Sequence, residues 1–336
     1  MRWQKCLVVG LAALAMHTGA AATQLNGAGS TFIYPIFAQW AAQYHDKTGV
    51  RINYQSIGSG GGIRQITRGT VQFAASDAPL SAKKLEQENL VQFPLIMGGV
   101  IPTINLGGVE TNTLQLDGAT LAAIFAGRIT HWQDERIQAQ NPSIDLPDQK
   151  ITVVHRADAS GTTWIFTNYL SKVSAAWADQ VGNAKAVSWP VGVGAKGNEA
   201  VANYVSRIQG AIGYVELAYV LQNDMTAVRL RNQAGHYVPA SLETLKAAAA
   251  NADWADTPGM AVVLTNQPGD DSWPITGATF ILLNKPLSSK ANQALRDFLD
   301  WSWHAGSDAA EALAYVPLPQ SVVDMIAARW TSESDT

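Results

Sequence analysis

Residues 151–170 run from an apolar β-branched segment, Ile151–Val154, through the polar turn His155-Arg156-Ala157-Asp158-Ala159-Ser160-Gly161-Thr162-Thr163. They continue into Trp164–Leu170, where apolar residues recur at helical spacing. A strand that passes into a helix through small hydroxylated residues is the building unit of an α/β layer. The chain repeats the succession twice. Asn26-Gly27-Ala28-Gly29-Ser30-Thr31-Phe32 leads into a helical pattern on Phe32, Ile36, Phe37, Trp40 and Tyr44. Ile57-Gly58-Ser59-Gly60-Gly61-Gly62 lies between the strand-like Val50–Tyr54 and a predicted helix over Ile63–Thr67. Such turns expose backbone N–H groups that lack intrahelical partners, at the positive end of the helix dipole. Arg156 adds a planar fork suited to an oxyanion. One such turn is an ordinary cap, with Arg156 in a surface ion pair. Three of them can aim three helix N-termini at one anion.

The first residues have the layout of an export signal. Arg2 and Lys5 form a basic start, Leu7–Met16 an apolar core, and Ala20-Ala21-Ala22 a small-residue cleavage site, which puts the cut near Ala22. The apolar core is too short to span a bilayer. Residues 1–22 contain Cys6, the only cysteine, and two of the 23 Lys and Arg; against 27 Asp and Glu the remainder carries a net charge of about −6. A leader followed by a cysteine-free, acidic chain implies a soluble periplasmic protein without a disulfide framework. The acidity argues against nucleic acid and anionic membranes as partners. About 310 remaining residues exceed what one core usually serves, so two lobes are expected.

Strand-like and helical patterns alternate throughout, which predicts an α/β fold with mostly parallel sheets. Two apolar runs, Leu95–Leu106 and Ile275–Leu283, are long enough to cross between lobes. They divide the chain into a signal peptide (1–22), a first lobe (23–100 and 280–336) and a second lobe (101–279). Helices are predicted over Lys290–His304 and Ser321–Trp330, and the Gly-rich loop Trp189–Asn198 is placed near the cleft rim.

The chemistry of the motifs favours capture over catalysis. Gly58–Gly62 lacks the Gly-Lys-Ser/Thr ending of a nucleotide-phosphate loop, and no dinucleotide fingerprint is present. The six histidines are scattered, with none at metal-ligand spacing, so no metal or cofactor is expected. Ser160 has no Gly-x-Ser-x-Gly elbow, and in a continuing strand His155 and Arg156 point to opposite faces, so no catalytic residue is assigned. Asp77, in Ala75-Ser76-Asp77-Ala78-Pro79, is out of place beside an anion unless that anion carries a proton. An ionised Asp only accepts hydrogen bonds, so it can pair with the P–OH of a phosphate but not with fully ionised sulfate. The plainer reading is a turn Asp before Pro79.

These segments together resemble the periplasmic phosphate-binding proteins of ABC-type phosphate importers. The resemblance is carried by Gly27–Phe32, Ile57–Gly62, Ala75–Ser81 and Arg156–Thr162, with Gly210–Glu216 and Ser272–Thr276 fitting as well. It implies a type II two-lobed binding-protein fold, closing through a two-segment hinge on a dehydrated anion. Carried over by position, the phosphate ligands would be Thr31, Phe32 (through its backbone N–H), Ser59 and Asp77 from the first lobe. Arg156, Ser160, Gly161 and Thr162 would come from the second, with Asp158 paired to Arg156. Delivery to a membrane permease, a monomeric state and the absence of enzymatic activity follow from the same resemblance. Family members often carry Pro, Ser and Gly where this chain has Ile33, Gly60 and Ala159. The rival expectations are a receptor for another oxyanion such as sulfate, or a phosphate-ester hydrolase using the same cradle.

Overall fold

The structure is a computed structural model that describes residues 24–334; the export signal and Cys6 lie outside the described residues. Twelve strands are present: β1 (Gln24–Gly29), β2 (Arg51–Ser56), β3 (Phe73–Ser76), β4 (Leu90–Ile104), β5 (Gln115–Leu116), β6 (Thr152–Arg156), β7 (Val193–Ala195), β8 (Ala211–Glu216), β9 (Thr226–Ala227), β10 (Arg229–Arg231), β11 (Tyr237–Val238) and β12 (Thr276–Asn284). Nine of them form one sheet in the order β2-β1-β3-β12-β4-β8-β6-β7, with β9 on β4; β11, β10 and β5 form a small second sheet.

Each end of the large sheet is parallel, β2-β1-β3 on one side and β8-β6-β7 on the other. The middle is antiparallel, because β12 runs against both β3 and β4, and β4 against β8. The expectation of mostly parallel sheets therefore holds only at the two ends. The two apolar runs are strands that pair with each other, and β4 is long enough to serve both halves: Leu90–Gly99 pairs with β12 and Val100–Ile104 with β8. All fifteen residues of β4 are buried, which explains their unbroken apolar character. Proline tolerates such a position only where no donor is needed. Pro94 sits beside a register shift between Thr279 and Phe280, and the Leu95 carbonyl released there accepts from Trp303 Nε1 at 3.0 Å.

Helices pack on the two halves and define two lobes. The helix Tyr34–Thr48 buries Ile36, Phe37, Trp40 and Tyr44, the apolar face read from the sequence, and ends at Gly49 in the left-handed region (φ 74°). The predicted helix Lys290–His304 is observed with those bounds, and the final helix covers Gln320–Ser334. The helix expected from Ile63 begins earlier, at Ser59. Its first turn is all glycine after Ser59 because it lies against main chain: a Cβ on Gly62 would come within 2.5 Å of the Ala28 carbonyl. No helix among the described residues is long and apolar enough to cross a membrane.

Candidate functional site

The turn after β6 is organised around one ion pair. Arg156 is buried and turns its fork onto Asp158, with Nε to Oδ1 at 2.8 Å and Nη2 to Oδ2 at 2.6 Å. This bidentate geometry fixes the guanidinium plane. The third nitrogen, Nη1, donates to Thr162 Oγ1 at 3.2 Å. Burial works to raise the Asp158 carboxyl, but the Arg156 fork outweighs it and holds the group below its ordinary value. Ser160 caps the helix Gly161–Val173, its Oγ accepting from Thr163 N–H at 3.0 Å. The Ser160 side chain thus plays the plain capping role, while the N–H of Gly161 at the head of the helix faces the other lobe. His155 points away, stacked on Trp189 with ring centroids 4.9 Å apart.

Across the cleft, Ser59 heads the helix Ser59–Thr67, and its hydroxyl is shared between lobes. It accepts from Asp77 N–H at 3.2 Å and from Gly161 N–H at 3.1 Å, and donates to Asp77 Oδ2 at 3.4 Å. Gly60 N–H donates to the Ala159 carbonyl at 2.8 Å, a second bond between the lobes. Asp77 is 1% exposed, and Thr279 Oγ1 from β12 donates to its Oδ1 at 2.7 Å. Burial pushes the Asp77 carboxyl up to about 6, against the hydroxyls of Ser30, Thr279 and Ser59 and the charge of Arg156, which pull it down. Phe32 N–H donates to Ser30 Oγ at 2.9 Å. Thr31 stands three residues before the helix Tyr34–Thr48 and faces the second lobe.

Five residues outside the sequence-derived set bind this arrangement together. Thr279 braces Asp77, as above. Asn198, at the start of the helix Gly197–Arg207, bonds Thr31 and Thr162 from one side chain, while Gly197 N–H donates to Asp158 Oδ1 at 3.1 Å. The rim placement of Trp189–Asn198 is therefore right in location, but the loop ends inside the cleft. Tyr219 OH donates to the Thr31 carbonyl at 2.7 Å, and Tyr315 OH to the Phe32 carbonyl at 2.6 Å. The two carbonyls of the Thr31–Phe32 turn are thus each held by a tyrosine.

Glu216 completes the seam. It is 0% exposed and forms no ion pair, and its Oε2 lies 2.9 Å from Tyr315 OH and accepts from Ala218 N–H at 2.8 Å. Tyr315 OH thus reaches two acceptors, the Phe32 carbonyl at 2.6 Å and Glu216 Oε2 at 2.9 Å. Burial raises the Glu216 carboxyl well above the ordinary range, and Oε1 has no hydrogen-bond partner, which costs a neutral carbonyl less than a carboxylate.

The site combines three kinds of group within one closed seam: oriented N–H donors, a guanidinium neutralised on one edge by Asp158, and a buried acceptor in Asp77. No cluster of three or more potential metal ligands occurs among the described residues.

A cleft of this kind between two α/β lobes joined through one continuous sheet defines a solute-binding protein, and the model of the PBP superfamily domain matches residues 15–304. The phosphate-binding protein PstS of Xylella fastidiosa (strain 9a5c) is 51% identical over 311 residues, covering 92% of this chain and 85% of that protein. PstS of Pasteurella multocida (strain Pm70) is 50% identical over 327 residues, covering 96% and 95%. The chain belongs to the PstS phosphate-binding protein family. Its fold is shared with a phosphate-binding protein from Stenotrophomonas maltophilia, with a TM-score of 0.66 at 20% identity over 92% of this chain and 94% of that one.

Proposed function

We propose that this chain is a periplasmic receptor that captures inorganic phosphate between its lobes and delivers it to the permease of an ABC-type importer, as a monomer and without chemistry on its ligand. The observation that carries the reading is the juxtaposition, across the Ser59–Gly161 contact, of the Arg156–Asp158 pair with the buried acceptor Asp77. The donors supply an oxyanion's acceptors with partners. Asp77 supplies an acceptor for the single proton that distinguishes hydrogen phosphate from sulfate. Thr31, Ser59, Asp77, Arg156, Gly161 and Thr162 bind directly in this reading. Ser160 acts by capping the helix whose N-terminus faces the anion, and Phe32 through the turn it shares with Thr31. In this reading β4 and β12 form the hinge, with residues 23–100 and 280–336 as the first lobe and 101–279 as the second. Binding that bridges the lobes stabilises the closed state by its differential affinity for that state.

The test is calorimetric titration of the processed chain, freed of carried-over anion by unfolding and refolding. Tight one-to-one phosphate binding that a large excess of sulfate does not displace is expected. Equal or preferred sulfate binding would move the chain to another oxyanion. Failure to bind either anion would overturn the receptor reading.

A further inference from the structure

The side chain of Asn198 has a hydrogen-bond pattern that leaves no choice of orientation. Its Oδ1 accepts from the Glu216 backbone N–H at 3.1 Å, so the other terminal atom is the NH2 group. That group has two hydrogens and makes two bonds, to Thr31 Oγ1 at 2.7 Å and to Thr162 Oγ1 at 3.2 Å. The backbone N–H of Asn198 also donates to Thr31 Oγ1, at 3.2 Å. Asn198 is 0% exposed, and it ties a residue of the first lobe to one of the second.

A threonine hydroxyl has one proton and two lone pairs. Both lone pairs of Thr31 are occupied by Asn198. Those of Thr162 are occupied by Asn198 and by Arg156 Nη1. Among the described residues neither hydroxyl donates to any group. Each therefore has its proton left over, and only as a donor can it make a further bond.

We infer that Asn198 is a positioning residue for the anion: by filling the acceptor sites of Thr31 and Thr162 it turns both hydroxyls, one from each lobe, into obligatory donors toward a phosphate oxygen. A hydroxyl free to rotate can serve a protonated or an ionised oxygen equally well, and these two cannot. They favour ionised oxygens, whereas Asp77 receives the ligand's remaining proton, so the site sorts the oxygens of one phosphate by protonation state. The same amide makes the two hydroxyls interdependent, because its grip on Thr31 exists only when the lobes meet.

This inference rests on the reading of the cleft as a phosphate site, and a double-mutant cycle separates the two. Affinity for inorganic phosphate is measured by calorimetry for wild type, Asn198→Ala, Thr31→Val, Thr162→Val and the two paired combinations. Asn198→Ala is expected to weaken binding at least 30-fold in the wild-type background and less than 5-fold where the threonine it serves is already valine. A merely structural asparagine would cost the same factor in every background, and that additive result overturns the inference. Should Asn198→Ala fail to fold, Asn198→Leu carries the same cycle, since it keeps the side-chain volume, adds no charge and removes the amide donor; equal losses in all backgrounds again overturn the inference. Absence of phosphate binding by wild type would instead overturn the receptor reading itself.

Discussion

At the scale of single residues, the cleft is fitted to its partner surface at close quarters. A Cβ on Gly60 would overlap the Cβ of Ala159, and one on Gly161 would overlap Ser59 Oγ. Gly60→Ser is therefore expected to hold the lobes apart and weaken phosphate binding at least tenfold. Ala159→Gly in the same molecule should restore most of it, because it clears the volume the new side chain needs; titration of the single and double variants decides this. Asp77 acts electrostatically as well as by shape. Asp77→Asn should narrow the preference for phosphate over sulfate, since an amide can donate to either; an unchanged ratio in competition titration would refute the role given to it. Its pKa of about 6 in the closed form lies above the ordinary carboxylate value. The closed, anion-free form therefore has its full Asp77 contribution below about pH 4 and loses it as pH rises through 6. A shift of about two units corresponds to roughly 3 kcal/mol. Anion-free Asp77→Asn should accordingly gain melting temperature relative to wild type between pH 5 and 8.

At the scale of elements, the Gly- and Ser-rich turns were legible because helix starts and strand ends leave a local signature. Arg156, Asp158, Thr162, Ser59 and Asp77 all stand in such turns, and the structure brings them to one seam. Asn198, Glu216, Tyr219, Tyr315 and Thr279 were not assigned, because nothing in their own neighbourhoods records what they meet. Tyr315 is 283 residues from Phe32, and the Asn198 partners Thr31 and Thr162 are brought together only by tertiary structure. The start of the helix at Ser59 was misplaced for a related reason. Glycine is a poor helix former on propensity alone, and only the main chain packed against Gly62 explains its use there. The seam element makes its own prediction. Burial raises the Glu216 carboxyl, so an infrared band of a protonated carboxyl that Glu216→Gln removes is expected at pH 7; a carboxylate signal in its place would overturn the expectation. Because its pKa is raised, the stability that protonated Glu216 contributes should fade as pH rises from the ordinary carboxylate range toward that raised value. Glu216→Gln should therefore gain melting temperature relative to wild type as pH rises toward the alkaline side. Tyr315→Phe leaves the Phe32 carbonyl unpaired in a buried place and should cost about 1–3 kcal/mol.

At the scale of the whole molecule, alternation of strands and helices was enough to give two α/β lobes, and the two long apolar runs proved to be buried central strands. What alternation could not give is that these strands are paired neighbours in one continuous sheet. Motion between the lobes must therefore bend or twist that sheet at β4 and β12 while its ladder stays bonded. Phosphate, and not sulfate, should lower the radius of gyration in solution scattering, and Asn198→Ala should need more phosphate to reach the same compaction.

The same sheet order fixes a sequence of events during synthesis. β12 lies between β3 and β4, yet it is the last strand of the chain. Val100 N–H meets the Ile275 carbonyl at 2.8 Å, so the intervening segment leaves and re-enters the first lobe at one point, like an insertion in its middle. That insertion contains its own strands and helices and can begin to fold once made. The first lobe lacks a central strand until residue 284 has appeared, and its last helices follow later still. A chain emerging from its N-terminus thus holds its earliest strands unfinished until nearly all of it is present, so the first lobe closes late.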